Sequence, residues 1–282
     1  MSEALAGSST SLERPGTERA RRPRITPRPR PTQLGTRYLA FVSAAAVFLG
    51  LGLKSELLAP SQVWLATGGL ALFTTLGLVF LHARNHTPGW LSLDYYICPV
   101  MAVIAAGAVS LLAPDWRLHA IAMVGMGAVI YASSYVDLCR GIGRVRPLHR
   151  FLRDSSTFIA LLALFYIVLQ SELLNVVKFI WIFAIALLSG YRSFRFATQR
   201  EGLPLLAGFL TAGTVAFAAF GMITYLNQGI PYVAVVLAFI WYAYQGFLVH
   251  ALDNTLTRRV AFEYGLFGII AIYFVALAQV TR

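Results

Sequence analysis

The sequence predicts an all-α, polytopic integral membrane bundle of about nine transmembrane helices with its amino terminus in the cytoplasm. Three observations predict it. Of 282 residues, 58% are hydrophobic and only 12% charged, beyond what a soluble domain normally carries. The apolar residues come in long runs rather than one-sided stripes, several of them near the roughly 20 residues that cross a bilayer. The arginines behind the net charge of +11 gather in a terminal tail and in alternate connections between those runs, as they do in loops retained on the cytoplasmic side.

In a soluble chain that charge would suggest nucleic acid. Here it reads as topology and contact with anionic headgroups, so membrane lipids are the expected partners and no nucleic acid is. Cys98 and Cys139 lie on different segments, without the spacing of a metal site or a disulfide framework, and read as packing residues. No secretory signal is expected, because the first apolar run begins only at Tyr38. Arg21-Arg22 is followed by Pro23-Arg24 rather than an apolar core, which argues against a twin-arginine export signal.

Residues 1–37 are rich in Ser, Pro and Arg, lack apolar periodicity, and predict a disordered cytoplasmic tail that leans on anionic headgroups or docks a protein partner. The bundle then occupies residues 38–282. Its first segment, Tyr38 to Leu53, is short for a span and predicts an extension through Lys54 and Glu56 toward Ala59 by snorkelling. Val63 to Leu81 is the second, closed by His82 to His86 and the turn Thr87-Pro88-Gly89. The third, Asp94 to Leu112, turns through Pro114-Asp115-Trp116 into the fourth, Leu118 to Leu138.

Everything is oriented by the next stretch, where Arg140, Arg144, Arg146, Arg150 and Arg153 crowd a loop short enough for the positive-inside bias to act on it. With Pro147 at a first helical position, the second half of this loop predicts a short helix lying flat on the headgroups. Ser155 to Tyr191 is too long for one unstrained span and predicts a hairpin turning at Ser171 to Asn175. Leu203 to Leu226, Tyr232 to His250 and Ala261 to Val280 complete the count, with the carboxyl terminus outside. The inner connections then hold Arg84, the five arginines, Arg192, Arg195, Arg200, Arg258 and Arg259, eleven cations against Lys54, Arg117 and Lys178 outside.

Polar groups near helix ends are the candidate site. Asp94, Asp137, Asp154, Asp253 and Glu263 fall at inner ends, as do Arg140, Arg192 and His250. Helical spacing puts Ser134, Asp137 and Gly141 on one face, Leu188, Arg192 and Arg195 on a second, and Tyr242, Gly246, His250 and Asp253 on a third. Two arrangements follow. In one, these are ion pairs local to helix ends, such as Asp137 with Arg140 or Arg153 with Asp154. In the other, the faces converge on a pocket: Arg144, Arg146, Arg150, Arg192 and Arg195 surround a phosphate or carboxylate, and Asp137, Asp253 or Glu263 binds a divalent ion or acts as a base, with His250 as the alternative acid or base.

The turn Arg144-Val145-Arg146-Pro147 and the nine-span count resemble intramembrane prenyltransferases, a nine-helix fold with two aspartate-rich cytoplasmic motifs. Here Asp137 stands without repeated aspartates, so neither activity nor catalytic residues carry over. His82 and His86 have the spacing of a shared metal, but no Cys or carboxylate adjoins them, and they read as interfacial histidines. With no facing mid-span histidines, P-loop, Rossmann fingerprint, serine elbow or zinc-protease motif, no metal or cofactor is expected.

Three functional readings follow. The first is a non-catalytic multi-pass protein of a bacterial inner-membrane type, associating with anionic lipid or a protein partner. The second is an enzyme acting on a lipid-linked phosphate at the cytoplasmic leaflet. The third is a small-solute transporter, for which Gly125, Gly127, Thr211, Gly213 and Thr214 are the only mid-span candidates.

Overall fold

The computed structural model describes residues 33–54, 58–85, 87, 89, 91–112, 115–141, 146–197, 202–226, 230–252 and 255–280. Among these there are nine α-helices and no strand: α1 Gln33–Leu51, α2 Pro60–Arg84, α3 Ile97–Leu112, α4 Trp116–Gly141, α5 Pro147–Gln170, α6 Asn175–Ala197, α7 Leu203–Gly221, α8 Ile230–Leu252 and α9 Arg258–Val280. Six of them (α2 and α4 to α8) are long and apolar enough to cross a membrane. The other three contribute apolar stretches of 10 to 17 residues. Phe48, Leu65 and Phe217 are 77%, 80% and 79% exposed on helices whose inner faces are also apolar, which suits a hydrocarbon surround rather than water.

The boundaries show where local chemistry decides. Helix α1 begins at Gln33, so Gln33 to Arg37 belong to it, while the tail up to residue 32 lies outside the described residues. It does not run on through Lys54. At Gly52 the chain folds into tight turns, with Gly52 N–H donating to Leu49 O and Leu53 N–H to Gly50 O, and Glu56 lies outside the described residues. Nor does the arginine loop form a separate flat helix. Pro147 supplies the first helical residue, the Arg146 N–H donates to His149 Nδ1 at 3.2 Å, and α5 continues unbroken to Gln170. His149, Arg153, Ser156, Thr157 and Ala160 are all buried, so this helix is held against the bundle from its first turns.

The α5–α6 hairpin turns between Gln170 and Asn175, and Lys178 Nζ closes it by donating to Leu169 O at 3.0 Å. Gly190 and Gly208 let α6 and α7 meet almost backbone to backbone: a Cβ on Gly190 would lie 3.2 Å from Gly208 Cα, and one on Gly208 3.0 Å from Tyr191 N. Helix α7 passes into a π turn, Met222–Leu226. Between the helices, Trp241, Phe165, Met123, Ile130, Leu161 and Leu237 are fully buried.

Contacts between helix ends give the bundle two chemically different ends. At one, His119 of α4 lies 3.3 Å from Leu51 O at the end of α1, and Lys178 of α6 caps α5. At the other, Tyr38 of α1 packs on Phe80 of α2, His82 of α2 on Tyr95, and His250 of α8 on Tyr264 of α9. This second end carries Arg37, Arg84, Arg140, Arg146, Arg150, Arg153, Arg192, Arg195 and Arg258.

Candidate functional site

At the arginine end, four elements converge on one charged knot. The chain enters α3 through a single 3-10 turn, Leu93–Tyr95, which presents Asp94 to the last turns of α4 and α6. Arg192 reaches in from α6, only 2% exposed, past the small buried side chains Ser189 and Ser193. Its three nitrogens take three partners: Nε donates to Asp94 O at 3.1 Å, Nη1 to Thr157 Oγ1 at 3.0 Å, and Nη2 to Asp137 Oδ2 at 3.0 Å. Asp137 is itself 2% exposed, so the pair is wholly removed from solvent.

Around it sit two further pairs. Arg140 donates to Asp94 Oδ2 and to the backbone carbonyl of Arg195, both at 2.6 Å. Arg153 Nε donates to Asp154 Oδ1 at 2.7 Å. Both guanidiniums also stack on one ring, Arg140 at 5.0 Å and Arg153 at 4.3 Å from the Phe196 centroid. Arg192 with Asp137, Arg140 with Asp94 and Arg153 with Asp154 make three cations and three carboxylates, a knot without net charge. Buried ions are tolerated on this condition, that each has a partner and hydrogen bonds to fill its remaining donors.

The expected site residues divide accordingly. Asp137 and Arg192, placed on different faces by spacing, are in contact; Arg195 joins through its carbonyl rather than its guanidinium. Arg153 pairs with Asp154 as one expectation held, whereas Asp137 pairs with Arg192 and not with Arg140, because Asp94 occupies Arg140. Leu188 does not share the buried face of Arg192, being 46% exposed. His250 stands apart: Nδ1 lies 2.9 Å from Thr255 Oγ1 and the ring 5.9 Å from that of Tyr264, so it does not join Asp137 and Arg192 in one cavity. Arg146 and Arg150 are exposed beyond the knot; Arg144 and Asp253 lie outside the described residues.

His82 is buried between Thr87, at 3.3 Å from Nδ1, and the Tyr95 ring at 4.7 Å; His86 lies outside the described residues. No group of three or more His, Cys, Asp or Glu among the described residues is placed to hold a metal ion. Sequence spacing missed Thr157 and Phe196 entirely. A threonine in an apolar run and a phenylalanine between arginines carry no signal of their own. Asp94 was visible as an inner-end acid, but its partner was not.

A second feature lies beside the knot. Helices α5, α8 and α9 border an open-sided cavity of about 360 Å³ lined by Phe151, Asp154, Ser155, Phe158, Ile159, Phe239, Tyr242 and Phe267. Phe158, Phe239, Phe267 and Tyr242 form a closed circuit of ring contacts, with neighbouring centroids 5.4, 6.0, 5.1 and 6.3 Å apart. The geometry therefore offers a neutral knot buried at its centre, an exposed basic rim and an aromatic cavity whose wall carries the knot's outermost carboxylate, Asp154. No family model, curated protein or solved structure matches the chain.

Proposed function

We propose that this is a non-catalytic, multi-pass membrane protein whose arginine end faces the cytoplasm and gathers anionic lipid headgroups. One observation carries the reading. The buried arginines are already neutralised within the knot, whereas Arg84, Arg146, Arg150 and Arg258 are exposed at the same end and no ion pair engages them among the described residues. A reactive site needs an accessible group, and Asp137 and Arg192 are closed to solvent and committed to each other. Exposed guanidiniums at a headgroup level need only a phosphate.

In this reading α1, α3 and α9 also cross, giving nine spans with the amino terminus inside, as the positive-inside bias supports. The basic tail adds to the same electrostatic surface, in a membrane of the bacterial inner type. A reporter fused after Arg282 is then exposed on the outer side; recovery of its activity inside would overturn the odd count.

The lipid reading is tested with the full chain in nanodiscs of mixed zwitterionic and anionic lipid, followed by native mass spectrometry of what is retained. Each basic residue near the surface contributes about 1 kcal/mol toward anionic lipid, so Arg146→Gln with Arg150→Gln lowers the anionic preference by roughly thirtyfold. Retention as in the wild type would refute the assignment. Deletion of residues 1–32, which stops short of α1, read the same way, isolates the tail.

A further inference from the structure

We infer that the aromatic cavity between α5, α8 and α9 binds the headgroup of an amphiphilic organic cation, an ammonium carried on an apolar body. The proposal does not rest on the lipid reading, and its sign of charge is the opposite. Although this end of the bundle is rich in arginine, none lines the cavity, and its one charged wall residue is Asp154. Arg153 adjoins Asp154 but directs its guanidinium over Phe196 at 4.3 Å and engages only Oδ1. Asp154 Oδ2 has no partner among the described residues, and the side chain is 28% exposed.

The rest of the wall is aromatic. Faces of Phe158, Phe239, Tyr242 and Phe267 carry the negative part of the ring quadrupole, which attracts an ammonium within about 6 Å of a centroid, more strongly where water is excluded. A neutral hydrocarbon would gain from burial alone and would be indifferent to Asp154. An anion would meet the Asp154 carboxylate and a wall of aromatic rings. The lipid-facing edge of the cavity, where Ile159 is 54% exposed, leaves room for an apolar body to extend outward.

The test uses the full chain in zwitterionic nanodiscs, with empty nanodiscs subtracted, and equilibrium dialysis of benzyltrimethylammonium against its uncharged isostere neopentylbenzene. Saturable binding of the cation, at least about tenfold tighter than the isostere, is expected. Asp154→Asn should weaken it by about tenfold. Because that change also touches Arg153, Ser155→Phe provides a second variant that fills the cavity without altering any charge, and it should abolish binding. Equal binding of the isostere, or undiminished binding in folded Ser155→Phe, would overturn the proposal. Arg146→Gln with Arg150→Gln, which tests the anionic-lipid reading, should leave this binding in place; its loss there would assign the cation to the rim lipids instead.

Discussion

Replacing Arg192 by methionine removes the centre of the charged knot while keeping much of its volume. Three groups lose their donor together: Asp137 Oδ2, Thr157 Oγ1 and the Asp94 carbonyl. The first dominates, because breaking a buried pair from one side leaves an uncompensated charge and costs about 3 to 5 kcal/mol. That is about two to four decades in the ratio of folded to unfolded protein. Asp137→Leu leaves Arg192 in the same predicament and carries a similar penalty. The double variant Asp137→Leu with Arg192→Met removes both charges, and such replacements are often neutral or favourable in themselves. What remains is the Asp94 carbonyl without its donor, about 1 to 3 kcal/mol, while the Thr157 hydroxyl keeps its own bond to Arg153 O. The double variant should therefore cost well under the sum of the two single changes, a coupling of about 2 kcal/mol or more. Equilibrium unfolding of the four proteins in one detergent, followed by helical circular dichroism, measures it. Additive single effects, or a silent Arg192→Met, would refute the view that this pair holds the four elements together.

The glycine contacts make a sharper steric prediction. Gly208→Ala should lower the melting temperature, since its Cβ would press within 3.0 Å of Tyr191 N and 3.3 Å of Leu187 O, a strain of about 1 to 3 kcal/mol. Gly213→Ala, on the same helix with nothing within 4 Å, should leave stability unchanged or raise it by about 0.5 to 1 kcal/mol, and a thermal melt of both in parallel checks the contrast. Gly246→Ala should force the Tyr264 ring, 2.3 Å from the added carbon, out of its seat and loosen α8 from α9, visible as faster proteolysis between residues 252 and 258. Phe196→Leu removes the ring shared by Arg140 and Arg153 and should destabilise by about 1 to 2 kcal/mol, whereas Phe196→Tyr should be tolerated, as denaturant midpoints will show.

How far the sequence reaches can be seen from particular residues. The apolar runs locate nearly every helix, because length and hydrophobicity are properties of a segment by itself. The hairpin turn at Ser171 to Asn175 is legible for the same reason. Ends are less so: α1 stops at Leu51 because of tight turns at Gly52, and α5 starts at Pro147 because Arg146 and His149 bond to one another. Partnership is least legible of all. Asp137 has Arg140 three residues away on its own helix and still pairs with Arg192, 55 positions distant, because Asp94 arrives from a different segment to take Arg140. Helical spacing ranks neighbours along one helix, whereas the choice among equally charged partners is made by how helices pack. His250 illustrates the converse: Tyr242, Gly246 and His250 share one face as their spacing predicts, but that face packs on Tyr264 of α9 and not on Asp137 and Arg192.

The same packing explains why two opposite electrostatic surfaces coexist at one end. Burial demands neutrality, so the arginines that enter the bundle each meet a carboxylate, and the bundle spends Asp94 and Asp137 wholly inside. Asp154 is different. It is part-exposed, gives one oxygen to Arg153, and lines the same cavity as Tyr242 and the phenylalanine rings. Exposed arginines face no such constraint, since headgroup phosphates and water can satisfy them, and they set the sign of the outer rim. The consequence is spatial: a cation approaching through the aqueous rim would meet guanidiniums, whereas one arriving within the membrane plane, past Ile159, would meet aromatic faces and a carboxylate. Binding of benzyltrimethylammonium should then depend weakly on the salt concentration that screens the rim, because a partly buried pair is screened far less than exposed charges. Affinity that instead changes steeply with ionic strength would mean that the probe reads the rim, and the cavity would lose its claim.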